Sequence, residues 1–245
     1  VAALAACGGG GDGSDTASAR NDTTAAALPD TTRASGGPSR VGELAAAKDS
    51  AGAAVAWSTP ESVKYDEALD GYFVSNINGN PSGKDNNGFI VFVPAEGDSA
   101  RVVVRGGRGG ATLNAPKGMA ITGDTLWVAD IDAVRGFDKR TGRPVASVTA
   151  RGANFLNDVA VGPDGALYIT DTGVRFSQTG EMSHPGPDQI YKLAGRTISV
   201  AAKLDSAIGP NGLAWDKASS RWIVLPFATK TIVTVGSDGK QQDLV

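Results

Sequence analysis

A fourfold internal repeat constrains this 245-residue chain more than any other feature of its sequence. The four copies of the opening motif are Pro60-Glu61-Ser62-Val63, Pro116-Lys117-Gly118-Met119, Leu156-Asn157-Asp158-Val159 and Pro210-Asn211-Gly212-Leu213. Each motif starts a strand, and after a turn a second strand begins next to an aromatic residue, as in Gly71-Tyr72-Phe73-Val74. Two further strands complete each unit. Because four antiparallel strands recurring every 40 to 56 residues are typical of propeller blades, the sequence predicts an all-β protein with a β-propeller fold.

The repeat divides residues 55–245 into four predicted blades, at about 57–110, 111–151, 152–205 and 206–245. A β-sandwich of short strands would not explain one motif recurring in the same phase. A propeller must close on itself to protect its strand edges. We therefore expect four blades of a larger propeller, with a complete four-bladed ring as the alternative.

The chain before the repeat differs in composition. Every aromatic residue lies at or after Trp57, and residues 8–54 are rich in Gly, Ser, Thr, Asp and Ala. Such a segment buries too little apolar surface to offset its backbone entropy, so we predict a disordered tether. The Ala-rich stretch from Val41 to Ala54 has the composition of a short helix.

The only cysteine, Cys7, lies where a lipid anchor would require it. Residues 1–7 are small or apolar and end in Leu-Ala-Ala-Cys, which resembles the lipobox at the end of a bacterial lipoprotein signal peptide. A lipidated Cys7 would hold the protein on a membrane surface without a spanning helix. We predict an extracytoplasmic lipoprotein, in the periplasm or at the cell surface. The alternative is a free thiol in a small-residue tail.

Composition excludes several classes of function. A formal net charge of −3 argues against a nucleic-acid partner, which would need clustered Lys and Arg. One Cys and one His exclude an internal disulfide and metal sites rich in either residue. We expect a monomer that binds a small molecule and meets the membrane only through its anchor.

The repeat places polar residues of different blades at one mouth of the propeller channel, because each innermost strand begins there and each second strand returns there. The predicted mouth residues are Glu61, Lys117, Asn157 and Asn211 on the first strands, and Asn76, Asp130 and Asp171 at the ends of the second. Oxygen donors in register suit a hard divalent cation, Ca²⁺ ahead of Zn²⁺ or Mg²⁺. The alternative is structural, since Asn and Asp at strand ends often bond local backbone.

Two residues have a separate reason to be considered at this mouth. Lys117 would repel a cation, so it either binds an anionic group of a substrate or points into solvent. His184 lies in an insertion in the third blade, rich in Pro and Gly, and would supply an acid or base if that insertion overhangs the mouth. The alternative is a plain surface histidine. A loop from Asn78 to Asn87 in the first blade is expected on the same rim.

The blade openings resemble those of the gluconolactonase/regucalcin (senescence marker protein) family. The motifs that carry the resemblance are Pro60-Glu61-Ser62-Val63, Phe155-Leu156-Asn157-Asp158-Val159 and Gly209-Pro210-Asn211-Gly212-Leu213-Ala214-Trp215. The resemblance implies a six-bladed propeller whose mouth holds a divalent cation through a Glu, two Asn and an Asp. Glu61, Asn157 and Asn211 match the first three ligands. The Asp, which also serves in lactone hydrolysis, is expected beyond Val245.

The resemblance implies metal-dependent hydrolysis of a lactone or related ester, in which the cation polarises the carbonyl and activates water. The chain departs from the family pattern at two places: Ser62-Val63 stands where Gly-Pro is common, and Lys117 occupies one of the mouth positions. The alternative function is that of a non-catalytic propeller of the NHL-repeat kind, which binds a ligand or a protein at the channel mouth.

Overall fold

The computed structural model describes residues 45–96, 99–205 and 208–244. Regular structure in these ranges consists of twenty β-strands without an α-helix, which confirms the predicted all-β class. No helix in this part of the chain is long and apolar enough to cross a membrane. Cys7 and the predicted tether up to residue 44 lie outside the described residues.

The end of the predicted tether, residues 45–54, for which the sequence favours a short helix, instead contributes to two short strands. β1 (Ala47–Lys48) and β2 (Ala54–Val55) pair antiparallel, and the Asp49 carboxylate accepts backbone N–H groups of the turn between them. β1 also runs parallel to the outermost strand of the first blade, with Lys48 opposite Arg101. Pairing with a sheet edge therefore decides the conformation of a stretch whose Ala content by itself favours helix.

Four antiparallel sheets form the blades, and within each blade the strands pair in chain order. Blade 1 contains β3 (Pro60–Asp66), β4 (Gly71–Asn76), β5 (Phe89–Pro94) and β6 (Arg101–Arg105). Blade 2 contains β7 (Pro116–Thr122), β8 (Thr125–Asp130), β9 (Ala133–Asp138) and β10 (Pro144–Thr149). Blade 3 contains β11 (Leu156–Val161), β12 (Leu167–Asp171), β15 (Gln189–Ala194) and β16 (Thr197–Lys203), with the inserted hairpin β13 (Arg175–Phe176) and β14 (Met182–Ser183). Blade 4 contains β17 (Pro210–Asp216), β18 (Arg221–Pro226), β19 (Val233–Val235) and β20 (Gln241–Asp243).

The sheets stand face to face around a channel. Their first strands β3, β7, β11 and β17 contact one another in that order. A separate apolar core lies between each pair of neighbouring blades: Phe73 and Leu126 belong to the first, Ala129 and Ile169 to the second, and Ile190 and Val224 to the third. This packing confirms the propeller fold.

Every first strand carries a β-bulge near its start, within the repeated motif. The register shifts fall between Pro60 and Val63, Pro116 and Met119, Leu156 and Val159, and Pro210 and Gly212. The second residue of each motif therefore lies inside a bulge. Because bulges bend a strand and redirect its side chains, the same distortion repeated in four blades aims four side chains at one place.

Candidate functional site

A cavity of about 160 Å³ lies where the four bulges meet. One part of its wall is polar and contains the second residue of every motif, namely Glu61, Lys117, Asn157 and Asn211. Another part is apolar, with three phenylalanines (Phe155, Phe176 and Phe227) as its largest members. The structure thus brings together the four first-strand residues that the repeat predicts at the mouth.

The Glu61 carboxylate makes no hydrogen bond or ion pair with another residue in the described ranges. Glu61 is exposed at the mouth, yet the protein around its carboxylate removes part of its hydration. Burial accordingly raises the pKa of Glu61 to about 7, although the Lys117 ammonium lowers it and Asp158 adds a smaller raising effect. The Lys117 ammonium thus stabilises the charged carboxylate in part, without forming an ion pair with it.

Asn157 and Asn211 add amide groups to the same wall. The Asn157 amide Nδ2 donates to Thr172 Oγ1 at 2.8 Å, and Thr172 Oγ1 in turn donates to the Pro210 carbonyl oxygen at 2.8 Å. This relay orients Asn157, and its Oδ1 receives no hydrogen bond from the described part of the chain. The Asn211 side chain likewise makes none there, whereas its backbone oxygen accepts a hydrogen bond from Thr170.

Lys117 is 1% exposed, which shows that the interpretation of a solvent-facing lysine is wrong. Its Nζ donates to the carbonyl oxygens of Ala115 at 2.9 Å and Pro81 at 3.1 Å, and lies 4.1 Å from the centroid of the Phe155 ring. Burial lowers the pKa of Lys117 to about 8, while the Asp130 and Glu61 carboxylates oppose that decrease. The ammonium is therefore fixed in the cavity wall.

The donor set fits a hard divalent cation. Within the described ranges, no cluster of three His, Cys, Asp or Glu side chains could hold a metal ion. The cavity instead offers the Glu61 carboxylate and the amides of Asn157 and Asn211, whose oxygens are the type of ligand that Ca²⁺ takes. Among the residues that the structure describes, none donates a hydrogen bond to the side-chain oxygens of these three residues, so none competes with a cation for them. The Lys117 ammonium on the same wall would weaken its binding.

The polar residues at the ends of the second strands do not line this cavity, which corrects the prediction that they belong to the mouth. Asn76, Asp130 and Asp171 are fully buried, and their side-chain oxygens accept backbone N–H groups from the loop that leads into the first strand of their own blade. The donors are Ser58 for Asn76, Asn114 and Ala115 for Asp130, and Asn154 and Phe155 for Asp171. These three residues therefore have the structural role that was the alternative prediction: they bond local backbone and hold the loops that precede the bulges.

His184 also lies outside the cavity wall. It follows the inserted hairpin, and its Nε2 is 2.7 Å from Asp188 Oδ1. The Asp188 side chain is fully buried and its Oδ2 accepts the Gly209 N–H at 3.1 Å. The histidine therefore secures the end of the insertion, and the structure gives it no contact with the predicted site.

The insertion does reach the mouth, through a different residue. The Phe176 N–H donates to Ser82 Oγ at 3.0 Å, and Asn80 Nδ2 donates to the Ser177 carbonyl oxygen at 2.7 Å. These bonds join the insertion in blade 3 to the Asn78–Asn87 loop of blade 1, which confirms that both belong to one rim. Sequence reasoning missed the phenylalanines because an aromatic residue in a β-protein is most often part of the core.

Comparison with known proteins identifies the family and the fold. The family model described as "SMP-30/Gluconolactonase/LRE-like region" matches residues 86–244. A gluconolactonase from Xanthomonas campestris is 19% identical with a TM-score of 0.54, covering 76% of this chain and 62% of that protein. The calcium-binding protein regucalcin from Agrobacterium tumefaciens is 16% identical with a TM-score of 0.51, covering 76% and 59%.

The fold is shared beyond lactone-related proteins. Hydrazine synthase from Kuenenia stuttgartiensis is 17% identical with a TM-score of 0.55, and the alignment covers 73% of this chain and 53% of that protein. The chain thus spans between about half and two thirds of these solved structures. No curated protein matches the sequence significantly. At such identities the structural likeness establishes the fold alone.

Proposed function

Because the chain belongs to the SMP-30/gluconolactonase/LRE-like family, we propose that it is a hydrolase of a lactone or related ester that depends on a divalent cation. The observation that carries this proposal is the convergence of Glu61, Asn157 and Asn211, without competing partners among the described residues, on one cavity. Ca²⁺ is the first candidate, with Zn²⁺ and Mg²⁺ as alternatives. When bound, such a cation supplies Lewis acidity toward a carbonyl and lowers the pKa of water.

The residues of the cavity have distinct parts in this proposal. Glu61 supplies the negative charge that holds the cation, and the neutral amides of Asn157 and Asn211 add oxygens without cancelling its positive charge. The Thr172 relay engages the Asn157 Nδ2 and leaves its Oδ1 available to the cation. Phe155 and Phe176 limit access of bulk water beside the reacting carbonyl.

The test is hydrolysis of a panel of lactones with added Ca²⁺ or with a chelator. We expect hydrolysis that the chelator removes, and a decrease of at least tenfold in kcat/KM for Glu61→Gln. Glu67→Gln is the matched control because Glu67 is an exposed residue of the turn after β3. Hydrolysis unaffected by the chelator would contradict the role of the cation, and no hydrolysis of any lactone would contradict the activity.

A second candidate function is that of a non-catalytic propeller that binds a ligand or protein at the mouth. The buried Lys117 ammonium favours it, because a positive charge in the wall opposes a catalytic cation. Saturable ligand binding without turnover, in the presence of Ca²⁺, would support this candidate against the hydrolase.

We also propose that the protein is an extracytoplasmic, membrane-anchored bacterial lipoprotein, monomeric and attached through Cys7. The support is the small-residue sequence that ends in Leu4-Ala5-Ala6-Cys7 and the Gly-rich segment that follows it. Cys7→Ser should move the protein from the membrane fraction to the soluble fraction of its native host. Continued membrane retention of that variant would contradict the anchor.

A further inference from the structure

We infer that the substrate of the proposed hydrolase carries an apolar substituent, and that it is an alkyl- or aryl-substituted lactone rather than a polyhydroxylated sugar lactone. The inference rests on the proposed function for the position of the lactone carbonyl. The nature of the substituent is inferred from the chemistry of the rest of the cavity wall.

Two polar side chains of the wall, Thr172 and Lys117, already have hydrogen-bond partners. The Thr172 hydroxyl accepts from Asn157 and donates to Pro210, and the Lys117 ammonium uses two of its protons on the carbonyls of Ala115 and Pro81. Glu61, Asn157 and Asn211 keep polar atoms without a partner among the described residues, and they are the groups that the proposed reaction requires at the carbonyl. The Lys117 ammonium, 4.1 Å from the Phe155 ring centroid, keeps one N–H without a hydrogen-bond partner there.

The rest of the lining is apolar and held in position. Phe155 is buried and packs against Phe176, with ring centroids 5.7 Å apart. Phe176 is fixed from outside by the Ser82 hydroxyl, which accepts its N–H. Phe227 is 53% exposed and extends this aromatic wall toward solvent, with Ile77 and Val174 also lining the cavity.

Such a wall discriminates against hydroxyl groups. Each sugar hydroxyl placed against it would give up its hydrogen bonds to water without gaining a partner, which is unfavourable. An alkyl or aryl substituent would instead remove its own apolar surface and that of the exposed Phe227 from water. A cavity of about 160 Å³ accommodates a compact substituted ring of this kind.

The test compares δ-gluconolactone with δ-heptalactone, which share the ring size and a secondary alkoxide leaving group. We expect kcat/KM for δ-heptalactone to exceed that for δ-gluconolactone by at least tenfold. Phe176→Ala should reduce this preference at least threefold. Met182→Ala is the matched control, because Met182 pairs with Phe176 in the same hairpin but is 53% exposed and outside the cavity wall.

Binding of the corresponding lactams, measured by calorimetry with Ca²⁺ present, separates this inference from the proposed reaction. The alkyl lactam should bind at least tenfold more tightly than gluconolactam, and Phe176→Ala should diminish that ratio, whether or not the lactones are hydrolysed. Equal or tighter binding of gluconolactam would overturn the inference, as would failure of both lactams to bind or an unchanged preference in Phe176→Ala. Absence of lactone hydrolysis with the lactam preference intact would overturn only the proposed reaction.

Discussion

The burial of Lys117 makes a quantitative prediction about stability as a function of pH. Its ammonium is 1% exposed, and burial lowers its pKa from 10.5 to about 8. In the unfolded chain the lysine returns to its ordinary pKa. The folded protein therefore carries a penalty for the charged lysine at neutral pH, and that penalty is relieved as pH rises above about 8.

The size of the effect follows from the two pKa values. Below both of them the penalty is about 3 kcal/mol, since each pKa unit corresponds to about 1.4 kcal/mol. Between pH 7 and pH 9 the folded state loses its proton while the unfolded state largely keeps it. Stability should consequently increase by about 1 kcal/mol over that interval on account of this residue alone.

The assay is urea unfolding of the wild type and Lys117→Met at pH 7 and pH 9, with a chelator present. Methionine keeps most of the side-chain length but has no titrating group, so the change in the difference between the two proteins reports the titration of Lys117 together with its effect on the pKa of Glu61. The wild type should gain about 1 kcal/mol relative to Lys117→Met on going to pH 9. A difference that is the same at both pH values would refute the account of Lys117 as a buried, destabilised ammonium.

Two other perturbations test the supports of the site by urea unfolding. Asp171→Ala should destabilise the protein by about 2–4 kcal/mol, because the N–H groups that bind this carboxylate lose their acceptor. Asp171→Asn keeps Oδ1, to which most of these N–H groups donate. The asparagine variant should therefore lose less than half as much stability. Gly118→Ala should cost about 1–3 kcal/mol, because its Cβ would overlap Asp158 and the Asn157 carbonyl. Gly212→Ala, at the equivalent repeat position with its nearest contact at 3.6 Å, should cost less. Equal losses within either pair would contradict these explanations.

The blades could be predicted because their signals are local and repeated. Alternating apolar residues and Gly or Asp turns indicate each strand, so Gly71–Asn76 and Leu167–Asp171 coincide with β4 and β12. β1 and β2 could not be predicted in this way. Strands of two residues have no periodicity, and β1 depends on a parallel contact with β6, which lies about fifty residues further along the chain.

The first-strand residues of the candidate site could be predicted because the repeat is visible in the sequence, whereas the role of the second-strand residues could not. The repeat places Glu61, Lys117, Asn157 and Asn211 in equivalent positions, and the shared bulge turns that equivalence into a common cavity. Asp130 and Asp171 occupy equivalent positions as well, but their oxygens bind loop N–H groups. A carboxylate at a strand end can either line the cavity or bind the N–H groups of a loop. The backbone of the adjacent loop decides between these two roles, and residue type alone does not.

The position of Phe176 at the mouth and the pairing of His184 with Asp188 could not be predicted from the sequence. Phe176 reaches the mouth because Ser82, in a different blade, accepts its N–H. His184, the residue with the more conspicuous chemistry, is instead engaged by Asp188. Both outcomes depend on contacts between segments whose spacing in the sequence carries no periodic signal.

Calorimetric titration of Ca²⁺ into the metal-free protein tests the central claim most directly, namely that Glu61, Asn157 and Asn211 form a cation site at the channel mouth. We predict a single binding event in the wild type and in Glu67→Gln, and affinity at least tenfold weaker in Glu61→Gln and in Asn211→Ala. No binding of Ca²⁺, Zn²⁺ or Mg²⁺ to the wild type would contradict the account. Binding that Glu61→Gln leaves unchanged would contradict it equally.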